Sequence, residues 1–415
     1  METQALVTND AVVLGLLAVI LGFVFYTEKS EHPFWKKFYT YVPGLLLCYF
    51  LPSLLNTFNI VDSEQSNLYF VTSRYLLPAT LVLLTLSVDL PAILRLGSKA
   101  LIMFFTGTVG IVLGGPLALL IVGSISPETV GGDGPEAVWR GLTTVAGSWI
   151  GGGANQTAMK EVFEVGDRLF GQMIAVDVLW ANVWMAILLF MAGRAEAMDR
   201  RSGADTSAIA ELKASVEAFH DEHARVLNLT DLMLMVAVGF GVTGLAHALG
   251  GGISGWIAVS APGLERLSLT STFFWIVVIA TTGGLLLSFT RAKNLEGAGA
   301  SRVGSAMLYV LVASIGMGMD VSSIFSNPGL FAVGGIWITF HAVLLLLVAK
   351  LIRAPVFYMA VGSQANVGGA ASAPVVASAF HPSLAPAGVL LAVLGYALGT
   401  YAAWICGLIM QAIAA

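Results

Sequence analysis

One carboxylate in this sequence stands where a carboxylate is expensive. Asp177 lies about two turns inside the apolar run 169–193, between Ala175, Val176, Val178 and Leu179. An ionisable group at such depth is a candidate functional site by default, and a proton and a small cation can compete for it. The plainer reading is an Asp bonded to Ser, Thr or backbone donors on a neighbouring helix. Two other stretches bring polar groups into apolar surroundings. These are Gly147-Ser148-Trp149-Ile150-Gly151-Gly152-Gly153-Ala154-Asn155-Gln156 and Gly362-Ser363-Gln364-Ala365-Asn366-Val367-Gly368-Gly369-Ala370. Gly151, Gly152, Gly153, Gly368 and Gly369 let a helix unwind at little steric cost. Asn155, Gln156, Gln364 and Asn366 then offer amide oxygens, and Ser148 and Ser363 hydroxyls. Neutral oxygens of this kind suit Na⁺ or a polar solute. A bland alternative is that the glycines serve helix packing alone.

The elements that must hold these residues are membrane helices. Of the 415 residues, 57% are hydrophobic and 11% charged, and mean hydropathy is +0.84. A soluble surface usually needs about 25% charged residues. Apolar runs long enough to cross a hydrocarbon core recur throughout. Backbone groups in lipid must pair internally, and runs that are continuous rather than alternating select helices over a barrel. Helices are expected near 10–27, 38–55, 68–94, 99–123, 140–163, 169–193, 229–249, 271–289, 302–319, 330–351, 354–380 and 384–413. A short run at 253–267 is a candidate extra crossing. The fold class is therefore all-α and polytopic, with about 12–13 transmembrane helices.

Charge sets orientation. Lys29, Lys36 and Lys37, Arg95 with Lys99, Lys160 with Arg168, Arg291, Lys293 and Arg302, and Lys350 with Arg353 are expected on the cytoplasmic side. Loops 56–67 and 126–136 carry acids without Lys or Arg and suit the outside, as does the N-terminus. Both halves satisfy the rule only if the chain crosses once more between 193 and 271, hence the extra crossing. The charged stretch 194–228, with an amphipathic helix, divides residues 1–193 from 229–415. A net charge of −5 argues against nucleic acid. Cys48 and Cys406 both lie in apolar segments, so no disulfide framework is expected. No cleavable leader is expected, because the run 11–26 follows a short acidic tail. No phosphate-loop motif, metal-ligand cluster or facing acid pair appears, so neither an enzyme nor a resident cofactor is expected.

The halves echo each other. Gly44-Leu45-Leu46-Leu47 matches Gly284-Leu285-Leu286-Leu287, and Ser73-Arg74 with Asp89 matches Ser301-Arg302 with Asp320. The two glycine-rich stretches match in turn, followed by Ala175-Val176 and Ala392-Val393. The charge rule places Asp89 and Asp320 at opposite ends, which makes the repeats inverted. Inverted repeats, each with a polar break, are the sequence pointer to a secondary transporter. By the same correspondence Thr400, on the last helix, falls opposite the Asp177 region. Asp89 and Asp320 at helix ends also read as caps, and His341 as a packed, hydrogen-bonded histidine. Trp149, Trp180 and Trp184 read either as pocket walls or as interface anchors.

The two glycine-rich stretches resemble those of the DUF819 (YjcL-like) family of membrane proteins, and the resemblance runs over nearly the whole chain. That family is grouped with the cation–proton antiporter and anion-transporter superfamily. The resemblance implies two inverted repeats, a dimerisation domain beside a core in which two broken helices (about 140–163 and 354–380) cross at mid-membrane, and a homodimer. It implies that the helix after the first break, which holds Asp177 and Asn182, binds the transported ion. Na⁺ is then expected at Asp177, Asn155, Gln364 and Asn366. Unlike the antiporters, this chain flanks Asp177 with Val176 and Val178 and has Ser305 and Ser314 in helix 302–319. The amide-rich breaks are closer to the sodium-coupled symporters. The expected function is a secondary transporter of a small solute, an organic anion or amino-acid-like molecule, coupled to Na⁺ or H⁺. The alternatives are a monovalent cation/proton antiporter without organic cargo and an ion channel. The expected location is a bacterial-type inner membrane.

Overall fold

The structure is a computed structural model that describes residues 6–63, 66–204, 209, 227–319, 326–381 and 384–414. Asp320 and most of the charged linker lie outside the described residues. Thirteen helical segments carry the architecture: α1 (Asp10–Glu28), α2 (Gly44–Thr57), α3 (Leu68–Leu86), α4 (Ser98–Ile125), α5 (Val138–Val162), α6 (Asp167–Ala192) and α7 (Leu229–Ser260) in the first part of the chain. They are followed by α8 (Thr272–Leu287), α9 (Ala300–Met317), α10 (Gly329–Leu351), α11 (Val356–Val367), α12 (Gly369–Phe380) and α13 (Ala385–Ala414). Among the described residues eight helices are long and apolar enough to cross a membrane, or up to 10 when α2 and α8 count with the bent segments beside them. The chain is an all-helical polytopic membrane protein.

The helix ends sort into two sets. Asp10 accepts a hydrogen bond from Ser66, Lys160 donates to the Tyr69 hydroxyl, and Asn327 donates to the Thr129 carbonyl, so these loops share one end. At the other, Lys99 donates to the Arg353 carbonyl and Lys293 lies 4.0 Å from Asp89. Among the described residues, Arg74, Arg140, Lys160, Arg168 and Arg266 are the Lys and Arg toward the first end. The rest lie toward the second, the basic end.

Both breaks fall where expected, at Gly152 inside α5 and at Gly368-Gly369 between α11 and α12. The chain does not continue through them; it turns back. The Trp139 and Phe163 rings, at the two ends of α5, pack 5.9 Å apart, and Gly166 N–H donates to the Pro135 carbonyl. Phe357 and Phe380, at the outer ends of α11 and α12, pack 5.4 Å apart. Each expected broken helix is therefore a helical hairpin, one entering from each end of the bundle. The hairpin explains the orientation that charge counting alone misassigned. Because α5 returns to its own end, Lys160 and Arg168 lie opposite the basic end and α6 runs toward it. No extra crossing is then needed. The 253–267 run is no span: its apolar part continues α7, a single 32-residue helix, and Pro262–Leu267 is a 3-10 turn. Gly250, Gly251 and Gly252 do not end α7, because a backbone in lipid has no partners outside its own helix.

Candidate functional site: two hairpin tips

Arms of 10 to 14 residues carry each tip roughly 15–21 Å into the bundle. The tips meet there: a Cβ built on Gly369 would lie 3.9 Å from the Gly152 Cα. Gly152 (φ 74°, ψ −173°) and Gly369 (φ 57°) turn the chain in conformations that favour glycine. Close approach fixes two more glycines. A Cβ on Gly147 would sit 2.6 Å from the Asn155 carbonyl oxygen on the returning arm, and one on Gly395 of α13 would sit 2.5 Å from the Ile150 carbonyl oxygen.

Asp177 is buried (6% exposed) and joins both arms of the first hairpin. Its Oδ2 accepts from Ser148 Oγ at 2.6 Å and Gln156 Nε2 at 3.0 Å, and its Oδ1 from Trp149 Nε1 at 2.7 Å. All three partners donate, so the carboxylate acts purely as an acceptor. Seven residues on, Trp184 of the same helix donates to Ser363 Oγ of the second hairpin at 2.7 Å. Ser363 Oγ also lies 2.7 Å from His341 Nε2, and His341 Nδ1 lies 3.0 Å from the Gly107 carbonyl. A carbonyl only accepts, so Nδ1 carries the proton and Nε2 takes that of Ser363. His341 is the packed, hydrogen-bonded residue its plainer reading describes.

Asn155 and Asn366 use one device. Asn155 Nδ2 donates to the Gly151 carbonyl at 3.0 Å and the Tyr396 carbonyl at 3.3 Å, and its Oδ1 accepts from Thr400 Oγ1 at 2.6 Å. Asn366 Nδ2 donates to the carbonyls of Gly362 at 3.0 Å and Phe104 at 2.9 Å, and its Oδ1 accepts from Thr108 Oγ1 at 2.8 Å. Each amide thus ties its own arm to a flanking helix. Gln364 (1% exposed) bridges the second hairpin through Nε2 to Ser372 Oγ at 2.7 Å. Among the described residues its buried Oε1 has no hydrogen-bond partner, which leaves an unpaired acceptor beside the tips.

Of the four Na⁺ ligands expected, the oxygens of Asp177, Asn155 and Asn366 are thus engaged by protein donors, and Gln364 offers a vacant one. Asn182 is not drawn in; it bonds to the Val178 carbonyl of its own helix at 2.7 Å. Asp89 caps the short helix Leu90–Arg95 through Ala92 N–H. Among the described residues no group of three or more His, Cys, Asp or Glu could hold a metal ion.

Residues 15–413 match the family described as "Protein of unknown function (DUF819)". The chain belongs to the DUF819 family. It is also similar to the "Uncharacterized membrane protein YjcL" of Bacillus subtilis (strain 168), with 24% identity over 348 residues, 81% of this chain and 82% of that protein.

In this DUF819 protein, several site partners carry no signal beyond residue type. Thr108 and Ser372 are ordinary polar residues of apolar helices, and only the fold sets them beside Asn366 and Gln364. Trp149 and Trp184 serve as indole donors inside the bundle, which a reading of tryptophan as an interface anchor passes over. Trp180 packs on Gly334 and Gly335 and donates to the Phe331 carbonyl at 2.8 Å, so it braces α6 against α10.

Proposed function

We propose that this protein is a secondary active transporter of a small solute, coupled to Na⁺ or H⁺ and working by alternating access. One observation carries the reading. Two glycine-turned hairpins enter an apolar bundle from opposite ends and meet at Gly152 and Gly369, with the vacant Gln364 Oε1 beside them. Irregular backbone at membrane depth is tolerated where it is buried in protein or lines a cavity, and such breaks are where carriers bind cargo and coupling ions. Opposed hairpins fit the inverted repeats read from the sequence and a place in the cation–proton antiporter and anion-transporter superfamily. On this reading the basic end faces the cytoplasm of a bacterial-type inner membrane, the N-terminus lies outside, and the carrier is a homodimer rather than an enzyme.

Solute uptake into proteoliposomes under an imposed Na⁺ gradient, then under a proton gradient, tests the proposal over a panel of small organic anions and amino acids. Uptake driven by one gradient and lost in Gln364→Ala and Asp177→Asn is the expected result. Absence of driven uptake for every solute, with no ion exchange, would refute it. The buried Asp177 carboxylate favours one second reading, a cation/proton antiporter without cargo. In that case a Na⁺ gradient alone moves protons, measured with an internal pH dye, and no solute is required.

A further inference from the structure

A cavity of about 600 Å³ lies between α1, α9 and α13 and meets the hairpin contacts above at Tyr396, whose carbonyl accepts from Asn155. Its mouth, at the basic end, holds the exposed Lys29 and Arg302. Among the described residues neither cation makes a salt bridge. The acid lining the cavity, Glu296, is already engaged: Oε1 accepts from Ser301 Oγ at 2.6 Å and Oε2 from Ser301 N–H at 2.9 Å, closing the amino end of α9. The three charged residues of the lining, Lys29, Arg302 and Glu296, sum to one net positive charge, and Glu28 beside Lys29 turns its carboxylate toward Gly44 of α2. Inward from the mouth the walls are mainly apolar and aromatic, with Phe25, Tyr309 and Tyr396 prominent and Ser305 a polar exception near the mouth. The far side is Ala370, the residue after Gly369, and a Cβ on Gly152 would stand 3.7 Å from the Tyr396 ring. The cavity thus runs from Lys29 and Arg302 to the hairpin tips.

We infer that this cavity is the cargo site and that the cargo is an amphipathic organic monoanion, its carboxylate at Arg302 and Lys29 and its apolar body between Phe25, Tyr309 and Tyr396. The inference rests on the transporter reading and names its substrate class. The volume falls in the range of about 300–1,000 Å³ typical of small-molecule pockets. An α-amino acid fits poorly, because the one acid in the lining, Glu296, already accepts twice from Ser301 and stands beside the Arg302 guanidinium, which repels an ammonium group. A di- or tricarboxylate fits poorly as well, since the lining beyond Lys29 and Arg302 holds no cation for its further charges and desolvating them is expensive.

The test is equilibrium binding to purified full-length protein in detergent, with naphthalene-2-carboxylate, its neutral amide, glutamate and citrate as probes. The carboxylate should bind at least tenfold tighter than the amide, and glutamate and citrate should not displace it. Arg302→Gln should weaken it at least tenfold. Ala306→Trp, which fills the cavity from α9, should abolish binding without lowering the melting temperature. Equal binding of acid and amide, displacement by glutamate or citrate, or indifference to both substitutions overturns the inference. A phospholipid head group with acyl chains has similar chemistry. If native mass spectrometry finds phosphatidylglycerol retained by the wild type but not by Ala306→Trp, and it displaces the probe, the occupant is lipid and the cargo assignment falls. A protein that binds the probe but moves nothing under any gradient refutes the transport reading and leaves the site standing. Gradient-driven uptake of a solute indifferent to both substitutions refutes the inference alone.

Discussion

The Trp139 and Phe163 rings pack edge to face with centroids 5.9 Å apart. A straight helix through Val138–Val162 would hold them about 36 Å apart. The contact makes α5 a hairpin and reverses the direction of α6. Impermeant thiol labelling in vesicles should therefore report Asp133→Cys and Glu164→Cys from the same side, and Lys36→Cys from the other. Cys48 and Cys406 are buried and give little background. Labelling of positions 133 and 164 from opposite sides would restore a spanning helix.

Asp177 holds the arms of that hairpin together through Ser148, Trp149 and Gln156. Asp177→Ala strands three buried donors, at about 1–3 kcal/mol each. A loss of about 4 kcal/mol is expected in chemical unfolding in detergent. Asp177→Asn keeps one acceptor oxygen and should lose roughly half as much. Equal stability of all three proteins would show that the carboxylate is not a structural joint.

Gly152 has room for a Cβ but not the conformation for one. Gly152→Ala should therefore cost about 1–3 kcal/mol from backbone strain alone. Gly369→Ala, at an ordinary left-handed φ of 57°, should cost about 1 kcal/mol. A melting temperature unchanged in Gly152→Ala would mean that the tip relaxes freely.

The charged linker reaches the second hairpin through Asp199, whose Oδ1 accepts from Val356 N–H at 2.9 Å at the start of α11. Asp199→Ala should cost about 1 kcal/mol, the usual loss of a helix cap. Burial pushes the Asp199 carboxyl above the ordinary carboxylate range, with the Val356 amide pulling the other way. A folded-state pKa above the unfolded one gives stability that is full below the unfolded value, near 3.9, and lost as pH rises through the folded value. Melting temperature should thus fall with rising pH through that window more in the wild type than in Asp199→Asn. Identical pH profiles would remove the effect.

At the end opposite the basic one, Arg74 of α3 pairs with Glu161 at 2.8 Å, and Lys160 with Asp167 at 2.9 Å. The Glu161 side chain is far more buried than that of Arg74, so Arg74→Ala leaves an acid with only Lys160 nearby, at 3.9 Å. Removing one partner of a buried pair costs about 3–5 kcal/mol; Arg74 is partly exposed, and about 2 kcal/mol is expected. A double cycle with Glu161→Gln should recover most of it. Strict additivity would mean the pair does not interact.

The breaks were legible because glycine clusters with Ser, Asn and Gln recur at corresponding places in both halves, which helix packing alone does not call for. Asp177 was legible because its depth is costly. Asn182 has the same depth and amide chemistry, yet its side chain folds back on Val178; a residue type on a helix does not say which face it occupies. Lys160 and Arg168 misled for a related reason. The positive-inside rule counts crossings, and a hairpin uses the residues of a crossing without making one.

Composition and pattern by themselves determined an all-helical membrane chain, the position of both breaks and most of the polar residues around them, since lipid leaves a backbone so few choices. Tertiary structure alone decided that each break is a turn, that Trp149 and Gln156 share Asp177, and that Gln364 Oε1 is left over. Those outcomes depend on which helices pack side by side. Glycine permits a continued helix and a reversal equally well, and only the neighbours at Gly395, Phe104 and Phe163 choose between them.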